Sequence, residues 1–196
     1  MDGGSLSGTA RIGPNAILQL VPVLDRAMGE ARRHLLFEAA AVPLPPPDAG
    51  MLPEDQVIRL HRAIVQVLPD LAPDLMRAAG LATAEYILAN RIPAVARAVI
   101  RALPKPLGAR LLAKAVAKHA WTFAGSGVFR IVGYRPLTVS IVQNPLAVGV
   151  AQSPSCHWHA AVFERLFATL VWPDVRVREI ACCAAGDLAC MFEIVP

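Results

Sequence analysis

The sequence predicts an α+β fold: a run of helices followed by a β-β-α-β-β segment. Two observations carry this. In the first part of the chain, apolar residues recur at helical spacing, and prolines punctuate the periodic stretches. From residue 129 the pattern changes to alternation in stretches rich in Val, Ile and Thr, with one helical interval between two such pairs. At 196 residues the chain suits one domain, or one domain with an elaborated amino-terminal part.

The elements follow in order. Pro14 fits a first helical position, and Ile17, Leu18, Val21, Leu24 and Met28 keep helical spacing as far as Gly29. A second helix over 32–41 stops at the proline-rich loop of residues 42–50. Pro53 opens another helix, with Glu54 and Asp55 at the positive end of its dipole. Further helices are predicted over 71–90, 93–102 and 107–120, with prolines near their boundaries. Residues 129–133 and 137–143 read as an antiparallel hairpin that Asn144 and Pro145 end. Residues 156–171 are helical again, with Val162, Leu166, Thr169 and Leu170 on one face and Glu164 and Arg165 outside. A second strand pair, 175–182 and 188–195, surrounds an Ala-Ala-Gly-Asp turn. No internal repeat is visible. Residues 1–50 read as a helical extension with its proline-rich loop, and 51–196 as the main domain.

Composition narrows the partners. The chain is 55% hydrophobic and 17% charged, with a mean hydropathy of +0.47. Arg, Pro and Lys break every apolar run before the roughly 18 uncharged residues that a membrane span needs. The amino terminus has acid before base and no apolar h-region, so it does not read as a signal peptide. A cytoplasmic protein is expected, whose excess hydrophobicity lines either an oligomer interface or a cavity for an apolar ligand. Charge is uneven: residues 1–85 hold ten acids and seven bases, whereas residues 86–163 hold nine bases and no acid. Within that tract Arg110, Lys114 and Lys118 repeat every four residues and line one helical stripe. The stripe is either a solvated face or an attraction to an anionic partner, such as a membrane surface, an acidic protein or a ligand carboxylate. Nucleic acid is not expected, because no binding motif accompanies the bases.

All four cysteines fall in the last third: Cys156, Cys182, Cys183 and Cys190, with Glu179 among them. In a cytosolic protein such a group means thiols or metal ligands more often than disulfides. A tetrahedral zinc with three sulfurs and one carboxylate oxygen is chemically sound; four reduced thiols in a core are the alternative. A closed site of that kind braces structure and runs no chemistry.

The order Val-Gln-Asn-Pro-Leu (142–146), Cys-His-Trp-His (156–159), Glu-Ile-Ala-Cys (179–182) and Gly-Asp-Leu-Ala-Cys-Met-Phe (186–192) resembles the 4-vinyl reductase domain family. The Arg-Ile-Gly-Pro-Asn-Ala-Ile-Leu-Gln stretch (11–19) narrows the resemblance to the branch serving bacteriochlorophyll biosynthesis. The motif set covers roughly residues 120–196. The resemblance implies helices packed against a twisted antiparallel sheet, similar to the small subunits of the TRAPP vesicle-tethering complex, and a homodimer. It also implies a zinc held by Cys156, Glu179, Cys182 and Cys190. Strict alternation puts Glu179 and Cys182 on opposite faces, so the strand must bend or end between them. Cys183 falls outside the pattern and reads as a small buried residue, while His157 and His159 stand as substitute ligands.

The family name implies reduction of a vinyl group, yet the residues offer no redox cofactor. No Gly-x-Gly-x-x-Gly follows a strand, Gly125-Ser126-Gly127 is too weak a signal, and an iron–sulfur cluster would compete for the same cysteines. Binding is the better expectation: a carrier for a magnesium tetrapyrrole of the protochlorophyllide type, acting among other pathway enzymes. The alternative is the divinyl (4-vinyl/8-vinyl) protochlorophyllide reductase or a subunit of it. For the flat, carboxylate-bearing ring, His119 with Trp121 and Phe123 offer a nitrogen and stacking surfaces, and Arg110, Lys114 and Lys118 offer cations. His34 and His61 are further candidates for an axial nitrogen, and Trp158 and Trp172 read as core.

Overall fold

Pro14 opens the first helical turn, but the helix does not run unbroken to Gly29. In the computed structural model, which describes residues 10–149 and 155–196, α1 (Asn15–Leu18) and α2 (Leu20–Met28) part at Gln19. Pro22 explains the break, since it has no N–H to give the carbonyl of Leu18 four residues back. Residues 1–9, most of the stretch read as lacking an export signal, lie outside the described residues. Gly29, at φ 84°, then turns the chain into α3 (Glu30–Ala39), a backbone conformation that favours glycine.

Two short strands, β1 (Arg11–Ile12) and β2 (Leu52–Pro53), pair antiparallel and bring the start of the described chain against the start of α4 (Glu54–Val67). Glu54 reaches from there to Ser126, accepting hydrogen bonds from its backbone N–H and its hydroxyl. α5 (Ala72–Asn90), α6 (Ala94–Ala102) and α7 (Lys105–Lys118) complete the helical part, close to the predicted spans. Among the described residues no helix is long and apolar enough to cross a membrane.

The second part follows the predicted β-β-α-β-β order: β3 (Val128–Tyr134), β4 (Leu137–Val142), α8 (His157–Leu170), β5 (Arg176–Ala181) and β6 (Ala189–Val195). All pairings are antiparallel and the spatial order is β3-β4-β6-β5, so the last strand lies inside the sheet. With a neighbour on each side, β4 is buried along most of its length, whereas edge strands β3 and β5 alternate between exposed and half-buried residues.

α8 joins the two parts. Its apolar face, including Phe163, Phe167 and Leu170, is buried together with Ile141 and Phe192 of the sheet. Phe123, Phe129 and Phe163 meet edge to face with ring centroids near 5.5–6.1 Å apart. On its other side α8 packs on α5 at unusually close range. A Cβ built on Gly80 would lie 2.4 Å from the Trp158 carbonyl oxygen, so only glycine permits the approach. One apolar core runs through the helices and the sheet, from Ile12 to Ile194.

Candidate metal centre

Three separate segments deliver the candidate ligands. Cys156 caps the amino end of α8, Glu179 lies on β5, and Cys190 lies on β6 opposite Ile141 of β4. Cys182 follows β5 directly. The conflict expected from alternation is resolved by a register shift between Glu179 and Ala181 and by the end of the strand at Ala181. A 3-10 turn (Cys183–Ala185) then leads to Gly186 at φ 96°, and the chain doubles back into β6.

The three sulfurs form a triangle. Cys156 Sγ lies 3.7 Å from Cys182 Sγ and 3.3 Å from Cys190 Sγ, and the last two are 3.9 Å apart. Zinc–sulfur bonds of ~2.3 Å in a tetrahedron put sulfurs ~3.8 Å apart, so the triangle has the right size. One donor atom from each of Cys156, Glu179, Cys182 and Cys190 fits within 4.8 Å of the others. Glu179 Oε2 accepts the Cys156 backbone N–H at 2.7 Å, while its buried Oε1 has no hydrogen-bond partner. A buried carboxylate oxygen without a donor is costly unless a cation takes it, so the residues fit a metal ion.

Without a cation the site is strained electrostatically. The thiols of Cys156 and Cys190 direct their hydrogen bonds at Cys182 and hold its pKa far below the usual thiol range. Those same bonds, with burial, push Cys156 far above it. Burial raises the Glu179 carboxyl to about 7. A divalent ion removes the conflict by accepting all four groups in their charged forms.

Residues that the sequence reading did not single out complete the site. Buried Asn144 donates from Nδ2 to Cys156 Sγ at 3.5 Å and Cys190 Sγ at 3.4 Å, and its Oδ1 accepts the Leu146 N–H. The Cys183 N–H points at Cys190 Sγ, and Asp187 Oδ2 accepts the Cys182 N–H at 2.8 Å. Cys183 itself opens the 3-10 turn and is half-buried, rather than the buried, opposite-facing strand residue expected. The extended backbone that would have turned it inward has already ended. Among the described residues the ligand cluster includes neither His157 nor His159. His159 lies in the aromatic core, with its Nε2 unpartnered.

The residues expected to meet a pigment are scattered. His119 is exposed and donates from Nδ1 to the Ala115 carbonyl, and Trp121 is exposed beyond it. Phe123 packs among Phe129, His159 and Phe163. The Arg110 guanidinium lies 5.2 Å from the Tyr134 ring centroid, and Lys114 and Lys118 face solvent on α7. His34 is exposed beside Glu30, whereas His61 is buried with Nε2 donating to the Ala16 carbonyl at 3.0 Å. None of the six residues of the expected set lines either of two cavities. One, of about 120 Å³, lies beside Cys156 and is lined by His61, Trp158 and His159. The other, about 420 Å³, is an apolar groove between α1, α2, the proline-rich loop and the end of α5, with Tyr86 and Arg91 in its wall.

An α+β domain with a three-thiol, one-carboxylate cluster on its last helix and strands defines the class, and the 4-vinyl reductase domain family matches residues 137–196. The bacteriochlorophyll synthase 23 kDa chain of Cereibacter sphaeroides is 60% identical over 187 residues, covering 95% of this chain and 91% of that one. Its counterpart in Rhodobacter capsulatus is 56% identical over 186 residues, covering 95% and 87%. The chain belongs to the family of the bacteriochlorophyll synthase 23 kDa chains, proteins of bacteriochlorophyll biosynthesis. Among solved structures, an H-NOX protein from S. oneidensis in the Fe(II)NO ligation state aligns with a TM-score of 0.55 at 10% identity, over 93% of this chain and 98% of that one. An unliganded Fe(II) H-NOX mutant from K. algicida aligns at 0.55 and 9%, over 94% and 96%. At such identities the likeness is one of fold.

Proposed function

We propose that this protein is a non-catalytic carrier of a magnesium tetrapyrrole, of the protochlorophyllide type, braced by a structural zinc on Cys156, Glu179, Cys182 and Cys190. The closed cluster carries this reading. Four protein donors complete a tetrahedral zinc, and a zinc so enclosed supplies a cross-link between α8, β5 and β6 instead of an open position for substrate. The apolar groove of about 420 Å³ supports a binding role, since proline rings, Tyr86 and the Arg91 guanidinium suit a flat ring bearing a carboxylate. The sequence-derived set of His119, Trp121, Phe123, Arg110, Lys114 and Lys118 is the second place to look. In this reading the protein is a cytoplasmic homodimer that hands its pigment to other enzymes of the pathway. The family domain spans 51–196, and residues 1–50 are an extension packed into the same core.

Titration of the zinc-loaded protein with magnesium protoporphyrin tests the reading. A shifted, saturable Soret band is expected, and an unchanged spectrum overturns the carrier role. Incubation with divinyl protochlorophyllide and NADPH gives no product if the reading holds. Turnover by the pure protein would instead make it the vinyl reductase.

A further inference from the structure

α6 is amphipathic in the wrong direction. Val95, Ala98, Val99 and Ala102 follow the i, i+3, i+4, i+7 pattern of a core-facing stripe, yet all four are exposed, Val95 at 76%. The charged side of the helix faces back into the protein: Arg97 is half-buried, and Arg101 Nε donates to the Thr169 carbonyl at the end of α8. α7 continues the surface. Leu107, Leu111, Lys114, Lys118 and, in the following 3-10 turn, Trp121 share one outward stripe, and all are exposed. The two helices are locked together where Gly108 meets Ile100; a Cβ there would lie 2.8 Å from the Ile100 carbonyl oxygen.

We propose that the outward faces of α6 and α7 form a docking surface for an anionic lipid bilayer. Charge selects this occupant. Residues 86–163 contain nine bases and no acid, so the apolar stripe is set in a purely cationic field. A second copy of the chain meeting this face would set Lys114 and Lys118 against their own counterparts with no carboxylate in the tract to offset them. An acidic protein would satisfy the lysines but would leave a row of small aliphatic side chains without an anchoring pocket. A bilayer takes both. Valine and leucine enter the headgroup boundary, lysines stay at headgroup level, and an exposed tryptophan suits the interface. The surface is distinct from the pigment groove and the metal cluster, and it stands without the carrier reading.

Co-sedimentation of the full zinc-loaded chain with vesicles tests it. Binding is expected to phosphatidylcholine vesicles containing phosphatidylglycerol, not to phosphatidylcholine alone, and to weaken as salt rises. Val95→Glu with Val99→Glu, and separately Lys114→Glu with Lys118→Glu, are each expected to weaken binding by about tenfold or more, with zinc content and circular dichroism unchanged. The exposed positions leave the fold intact, so these controls are readable. Failure to bind anionic vesicles at low salt overturns the proposal, as does equal binding by both double variants. Binding to polyglutamate but not to vesicles assigns the face to an acidic protein. Conversion of an oligomer to a monomer by V95E/V99E, read by light scattering, assigns it to a second copy. Either outcome also overturns it.

Discussion

Asn144 fixes two of the three sulfurs with a single amide. Its carbonyl oxygen is held by the Leu146 N–H, which leaves the two amide hydrogens aimed at Cys156 and Cys190. N–H donors to coordinating sulfur orient the ligand and spread its charge. Asn144→Ala is therefore expected to lower zinc affinity by about 10- to 100-fold and to cost about 1–3 kcal/mol of stability. Competition with a chromophoric chelator and urea unfolding measure the two effects, and unchanged affinity would show that the amide is only a strand end. The thiols and Glu179 were legible in the sequence because their residue types are rare and their chemistry is narrow. Asn144 was not. Followed by Pro145, it reads equally well as a strand terminator, and only the fold brings it to the sulfurs.

Helix and strand boundaries were legible wherever a period had room to repeat, as in α5, α8 and the four long strands. Shorter features escaped. A two-residue pair such as β1 with β2 has no period to detect, and the break at Gln19 depends on one absent N–H rather than on any loss of apolar spacing. The bend in β5 was legible as a necessity, because Glu179 and Cys182 had to share a site. Its form, a shift at Ile180, was not. The crossing of α5 and α8 yields a sharp test. Gly80 faces backbone, which cannot swing aside as a side chain would: a Cβ meets the Trp158 carbonyl at 2.4 Å and the Ala161 methyl at 2.8 Å. Gly80→Ala would stabilise an isolated helix by about 1 kcal/mol. Here it is expected to destabilise the protein by about 1–3 kcal/mol, as overpacking does. A higher denaturation midpoint for the variant would mean that the two helices separate easily.

The single core also sets how the whole molecule responds to acid. Burial lowers the His61 pKa to about 4. Burial first, then the charge of His61, lowers that of His159 to about 3. An unfolded chain takes up both protons near pH 6.5, well before the folded chain does. Between these limits the unfolded state binds more protons, so stability falls as pH is lowered from 6.5, by up to about 1.4 kcal/mol per pH unit for each histidine. His61→Asn removes one of the two. The slope of unfolding free energy against pH, measured in the zinc-loaded protein between about pH 5 and 6, is expected to become shallower by close to one proton. Equal slopes in the variant and the parent would show that His61 is charged in the native state.

The strand order β3-β4-β6-β5 places the last strand to be synthesised in the middle of the sheet. A ribosome makes β3, β4, α8 and β5 before β6 exists, and Cys190 arrives with it. Until then β4 and β5 have no contact through the ladder, and the zinc ligands number three. The growing chain therefore waits with an apolar strand edge open, which is a surface for pairing with another nascent chain. Arrival of β6 closes that edge and supplies the fourth ligand in one step. Translation that stalls before residue 189 would not trim an edge from the sheet. It would leave two halves with nothing to join them.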